Sequence, residues 1–292
     1  MNPHCEGPTL AQIACIWEAL ARKVGNVHRT ADFPGTHLSD FLLSAVAIHQ
    51  ALSQTAQESV GRRIWAAVQA TRSLVGQNTN LGIILLLVPL LHCQQTPLVR
   101  DELQAILQQL TRDDAVWAYR AIRWANPGGL GQSSEQDVHA EPTVTLLEAM
   151  QLAAERDLIA RQYATGYADI WDFGVPTFQA ALATFGTVEA AIIDTQLRWL
   201  AHFPDSLIAR KNGRAVAEAI QQQAAAVLQR GGIATPEGRA AGVALDRLLR
   251  SPDHRLNPGT TADIITACLF VALRENKVTP ATPFHWDVPD WL

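Results

Sequence analysis

Apolar residues recur every three or four positions through almost the whole of this 292-residue chain, the spacing that lets a helix bury one face. Strand-like alternation is scarce. The periodicity predicts helices over residues 10–23, 38–56, 58–75, 81–92, 100–109, 113–124, 146–163, 178–185, 188–201, 215–229, 236–249 and 262–275. Their boundaries carry matching punctuation: Asp113 and Asp114 open one helix, and Gly213, Gly231 and Gly232 interrupt others. The expected fold is therefore all-α, a single-domain helical bundle over residues 1–292 with one large core. Two stretches without helical pattern, 25–37 and 126–142, are long for loops in such a domain and are expected to be functional or disordered. Residues 279–292 hold Pro280, Pro283, Trp286, Pro289 and Trp291. That tail should pack as extended chain or mediate association.

The net charge of −5 and a pI near 6.0 argue against a nucleic-acid surface, which needs a basic stripe. Any basic site must be local. Cys5, Cys15, Cys93 and Cys268 are widely separated, without zinc spacing, and read as reduced thiols of a cytoplasmic protein. No secretory pattern opens the chain. The apolar run 81–91 is too short to span a bilayer and contains Pro89, so a buried core helix with a bend is expected there and no membrane association.

Only three cations are lysines, against twenty arginines, and two of the three lie in polar segments with a glycine. Lys23 precedes Gly25, Asn26, His28 and Arg29; Lys211 follows Arg210 and precedes Asn212 and Gly213. A compact ammonium beside a glycine suits a phosphate oxygen, though a solvated surface lysine gives the same pattern. Asn78, Thr79, Asn80 and Gly82 precede one apolar helix, and Asn257, Gly259, Thr260, Thr261 and Asp263 open another. Helix starts of this kind either receive an anion or simply cap themselves. Asp263 in a first turn is either a partner of the helix dipole or a group for Mg²⁺ or a proton. Asp205 stands ahead of Arg210 and Lys211 as a candidate metal ligand. Asp157 has alanines at helical-neighbour spacing and Arg161 four residues on, which fits an ion pair or room for a ligand. Asp32, His37 and Asp40 surround a turn, and no stand-alone metal motif is present.

In this order the segments 23–27, 77–82, 153–163, 205–211 and 257–263 resemble the triphosphoribosyl-dephospho-CoA synthase family over roughly residues 10–275. The resemblance implies an all-α enzyme that takes ATP, releases adenine, and joins the triphosphoribosyl group to the 2′-hydroxyl of 3′-dephospho-CoA. It further implies Mg²⁺, with Asp32, Asp40, Asp157 and Asp205 as candidate ligands. Asp40, Asp205 and Asp263 become candidates for catalysis. Lys23, Arg29, Asn78, Thr79, Asn80, Arg210, Lys211, Asn257, Gly259 and Thr260 become candidates for phosphate and nucleotide. Val24 replaces the family's usual proline, and Thr260 and Thr261 replace a glycine- and serine-containing pair. The acceptor therefore stays open, a tetrahydromethanopterin-type pathway intermediate being the alternative. A hydrolase, and a non-catalytic nucleotide-binding helical protein, are the readings from other classes. A homodimer is left open.

Overall fold

The computed structural model describes residues 6–129, 135–251 and 253–292, so Cys5 and Gly131 lie outside the described residues. Within them are fourteen α-helices and no strand. They are α1 (Glu6–Leu20), α2 (Leu38–Gln54), α3 (Val60–Val75), α4 (Leu81–His92), α5 (Arg100–Gln108), α6 (Arg112–Ala125) and α7 (Leu146–Ala153). There follow α8 (Leu158–Thr165), α9 (Val175–Phe185), α10 (Val188–His202), α11 (Ser206–Asn212), α12 (Arg214–Gln229), α13 (Pro236–Leu249) and α14 (Gly259–Arg274). The all-α expectation holds, and most boundaries fall within a few residues of the apolar periodicity. Pro89 lies inside α4, whose Leu81 and Ile83–Leu91 are buried throughout.

The periodicity misplaces one element and misses another. Residues 146–163 form two helices, because Asp157 adopts an extended φ of −137° and its Oδ1 accepts from the N–H groups of Ile159 and Ala160. That cap stops α7 and starts α8, so Asp157 is a helix start rather than a mid-helix residue. The ion pair with Arg161, one of the two readings of Asp157, is not formed: Arg161 Nε bonds Asp169 Oδ2 at 2.8 Å. The seven-residue α11 has too few turns to show a period.

Two apolar clusters form the interior. The larger gathers α1–α9 around α4 and α14; the smaller gathers α10–α13. Helix α10 serves both, giving Ala191, Ile192 and Trp199 to the first and Ala190, Ile193, Leu197 and Leu200 to the second. An α10 buried nearly all round explains why its polar residues must find internal partners. Glu189, fully buried, accepts from Arg22 Nε at 2.9 Å and pairs with Arg29. The tail lies extended against this cluster: Val188 and Glu189 N–H groups bond the carbonyls of Pro283 and Phe284, and the Trp291 indole N–H reaches the Arg22 carbonyl at 2.8 Å. Among the described residues no helix is long and apolar enough to cross a membrane.

Candidate active site

A cleft of about 970 Å³ opens where the N-terminal ends of α4, α8 and α14 approach one another, and both long loops border it. Asn26, Phe33 and Thr36 line it from one loop, Gly128, Gln136 and Asp137 from the other. Its volume lies within the range of small-molecule sites.

Asp263 and Gly82 meet at its wall. A Cβ on Gly82 would stand 2.1 Å from Asp263 Oδ2, so only glycine admits the carboxylate against the start of α4. There Asp263 accepts from the Ile83 N–H. Burial first, then the negative charge of Glu18 with lesser terms from Asp205 and Asp157, hold the Asp263 carboxyl's proton affinity well above the ordinary aspartate value. Glu18, from α1, also lines the cleft and is almost fully buried. Its proton affinity is raised by burial and brought back down by Lys23, whose Nζ lies 3.0 Å from Oε1.

Three N-terminal turns are locked together beneath these carboxylates. Asp205 accepts from Leu207 N at 2.9 Å and Ile208 N at 3.0 Å, and from Thr261 N and Oγ1 at 2.8 Å each. Ser206 Oγ accepts from Leu158 N at 3.2 Å and donates to Thr260 Oγ1 at 3.1 Å. The lining is mixed in charge: Arg156, Arg161, Arg210, Lys211 and Arg214 stand among Glu155, Asp157, Asp253 and other carboxylates. Arg210 Nη1 bonds Asp157 Oδ2 at 3.0 Å, and Lys211 Nζ reaches the His254 carbonyl at 3.4 Å. Partial burial lowers the Lys211 pKa.

The deciding similarity is that of the whole chain. A model of the ATP:dephospho-CoA triphosphoribosyl transferase family matches residues 7–281. The chain belongs to that family. Curated relatives match shorter segments. One from Pseudomonas putida, named "Probable 2-(5''-triphosphoribosyl)-3'-dephosphocoenzyme-A synthase", is 33% identical over 118 residues, 38% of this chain and 40% of the relative. A Klebsiella pneumoniae 2-(5''-triphosphoribosyl)-3'-dephosphocoenzyme-A synthase is 30% identical over 106 residues, 36% of this chain and 37% of the relative. The chain thus spans about two fifths of the length of the curated relatives it matches. A solved Archaeoglobus fulgidus structure, provisionally named a triphosphoribosyl-dephospho-CoA synthase, superposes with a TM-score of 0.63 at 26% identity, covering 81% of this chain and 100% of the other.

Of the family-motif residues, Asn78, Thr79, Asn80, Asp157, Arg210, Lys211, Asn257, Gly259, Thr260 and Asp263 come together on the cleft. Five others do not line it, each for a visible reason. Lys23 is fully buried behind Glu18, where its Nζ also donates to the backbone carbonyls of Glu18 and Ala21. Arg29 turns to Glu189. Asp32 Oδ1 accepts from Leu38 N, and Asp40 Oδ2 from His37 N, both at 2.8 Å, so the two hold the start of α2. Asp205 has four donors around it, as described. Glu18, Phe203 and His254 are cleft residues that the motifs did not single out. Glu18 had one sequence signal, a carboxylate inside an otherwise apolar helix.

Proposed function

We propose that the protein transfers the triphosphoribosyl group of ATP to the 2′-hydroxyl of 3′-dephospho-CoA, releasing adenine. The observation that carries this reading is the Asp263 carboxyl, held at Gly82 inside a cleft that Arg210 and Lys211 also line. A partly buried carboxyl with raised proton affinity is suited to accept a hydroxyl proton. In the reaction the acceptor oxygen bonds to the anomeric carbon as the bond from that carbon to adenine N9 breaks. The hydroxyl proton passes to Asp263, the bonding pair leaves with adenine, and adenine takes up a proton. Glu18 lines the same cleft, where its negative charge would stabilise the cationic sugar formed at displacement. Arg210 and Lys211 hold phosphate oxygens, so the triphosphate is positioned without being cleaved.

Among the described residues no group of three or more His, Cys, Asp or Glu side chains could hold a metal ion. A cage made wholly of protein groups does not fit the described residues. Mg²⁺ bound mainly by the triphosphate does, because that ion needs only one or two carboxylates in addition. Glu18 and Asp263, both on the cleft and with the Glu18 charge raising the Asp263 proton affinity, are the residues that would hold it. The ion would neutralise part of the triphosphate charge.

The direct test is incubation with ATP, Mg²⁺ and 3′-dephospho-CoA, followed by mass spectrometry. Acceptor-dependent adenine and a triphosphoribosylated product are expected. Adenine formed equally without acceptor identifies a hydrolase instead, and product formed only with a pterin-pathway acceptor reassigns the substrate. Lys211→Ala should weaken ATP binding by about tenfold or more, roughly 1.4 kcal/mol. Calorimetry on the folded variant checks this, and unchanged affinity would remove Lys211 from the phosphate site.

A further inference from the structure

We propose that Gln196, a residue with no access to the cleft, sets the polarity of the cleft by orienting the side-chain amide of Asn257 through Asn26. Resting on the phosphate-binding reading above, it assigns Asn257 Nδ2 as an obligate donor to a phosphate oxygen. Gln196 sits on α10 with no exposed surface. Its Oε1 accepts from Val24 N at 3.0 Å, and its Nε2 donates to Val24 O at 2.8 Å and to Asn26 Oδ1 at 2.9 Å. Asn26 Nδ2 then donates to Asn257 Oδ1 at 2.6 Å.

The order of these groups leaves no freedom. A backbone N–H can only donate and a carbonyl can only accept, so the two atoms of Val24 fix which end of the Gln196 amide faces which. The second Nε2 hydrogen meets Asn26, which must present oxygen there and nitrogen at its other end. Asn257 must therefore receive with its oxygen, and its Nδ2 remains on the cleft side, beside Gly259. Assignments of oxygen and nitrogen in amides are ordinarily ambiguous. Here one backbone residue resolves three of them in sequence.

The ligand chemistry follows from position. Asn257 lines the cleft together with Lys211, and the backbone of His254 connects them: Lys211 Nζ and Asn257 N both donate to its carbonyl. An NH₂ donor next to an ammonium suits a phosphoryl oxygen. An acceptor in the same place would face that oxygen with like partial charge.

Gln196→Glu tests the relay from its far end. A carboxylate can still accept from Val24 N but cannot donate to Asn26, so Asn26 turns its nitrogen inward and Asn257 turns its oxygen to the cleft. Inorganic triphosphate affinity, read by calorimetry, should fall about tenfold or more in Gln196→Glu. It should change little when the same substitution is made in an Asn257→Ala background, because the orientation it disturbs is already gone. Unchanged affinity in the single variant, or equal losses in both backgrounds, overturns the relay; equal losses are what a merely structural role produces. If Gln196→Glu does not fold, Asn26→Asp makes the same reversal nearer the surface. In the unaltered protein, the Asn257 side-chain amide protons should shift in NMR spectra on titration with triphosphate, and a static resonance overturns the proposal whatever the variants do. Triphosphate that fails to bind the unaltered chain at all refutes the phosphate site itself, whereas binding that ignores Gln196 refutes the relay alone.

Discussion

Asp263→Asn should lower the transfer rate by about 100- to 10,000-fold, the range expected for loss of a positioned acid or base, while the melting temperature at neutral pH does not fall. Asparagine keeps the shape and an oxygen for the Ile83 N–H, and removes the negative charge together with the ability to take a proton. Full turnover in the folded variant would exclude Asp263 as the base. In the unaltered enzyme, activity should rise with pH through a midpoint above the ordinary carboxylate range, because burial and then Glu18 hold the Asp263 proton. The stability effect has the opposite sense. A carboxyl whose folded pKa exceeds its unfolded value binds protons more tightly when folded, so stability declines as pH rises from the unfolded to the folded pKa. Asp263→Asn removes that decline, and its stability should fall less than that of the unaltered chain between acid and neutral pH. Urea titrations at several pH values measure both slopes.

Lys23→Met should cost about 3–5 kcal/mol of stability at neutral pH, since it leaves a nearly buried carboxylate without its cation. Glu18 is almost fully buried, and Lys23 is what offsets the cost of its charge. Adding Glu18→Gln to the variant should restore part of the loss, because the uncompensated charge is gone. A single variant as stable as the unaltered chain would show that the pair does not carry the charge as described. With its cation removed, Glu18 is expected to keep its proton to higher pH, so the variant's stability falls further as pH rises.

The same pair shows how far the residues alone could be read. Lys23 is rare in composition and lies beside Gly25, and both facts are visible in sequence. They fit a surface phosphate ligand and a buried counter-ion equally well, because spacing along a loop does not report depth. The path of the chain decides. Gly25 has a φ of +70° and its N–H bonds Asp246 Oδ1 at 2.8 Å, which turns the segment inward under α13. Asp205 and Asp157 repeat the lesson: the sequence offered the first as a metal ligand and the second as a mid-helix carboxylate, and both cap helices. Their difference is that Asp157 keeps Oδ2 for a cleft arginine, whereas both Asp205 oxygens are enclosed by donors. The chain of hydrogen bonds from Gln196 to Asn257 was wholly illegible, since Asn26 and Asn257 alone are 231 positions apart.

The sequence by itself determined the all-α class, most of the helices, the two long loops and ten residues that line the cleft, because periodicity and helix-start chemistry act over a few neighbouring residues. It also determined the family, whose motifs keep their order along the chain. Only the tertiary structure decided which carboxylates line the cleft and which serve the fold. That choice depends on burial, on Gly82 making room for Asp263, and on Lys23 reaching Glu18 from behind. Desolvation and Coulomb interactions act through space between helices far apart in sequence, so no local pattern encodes them.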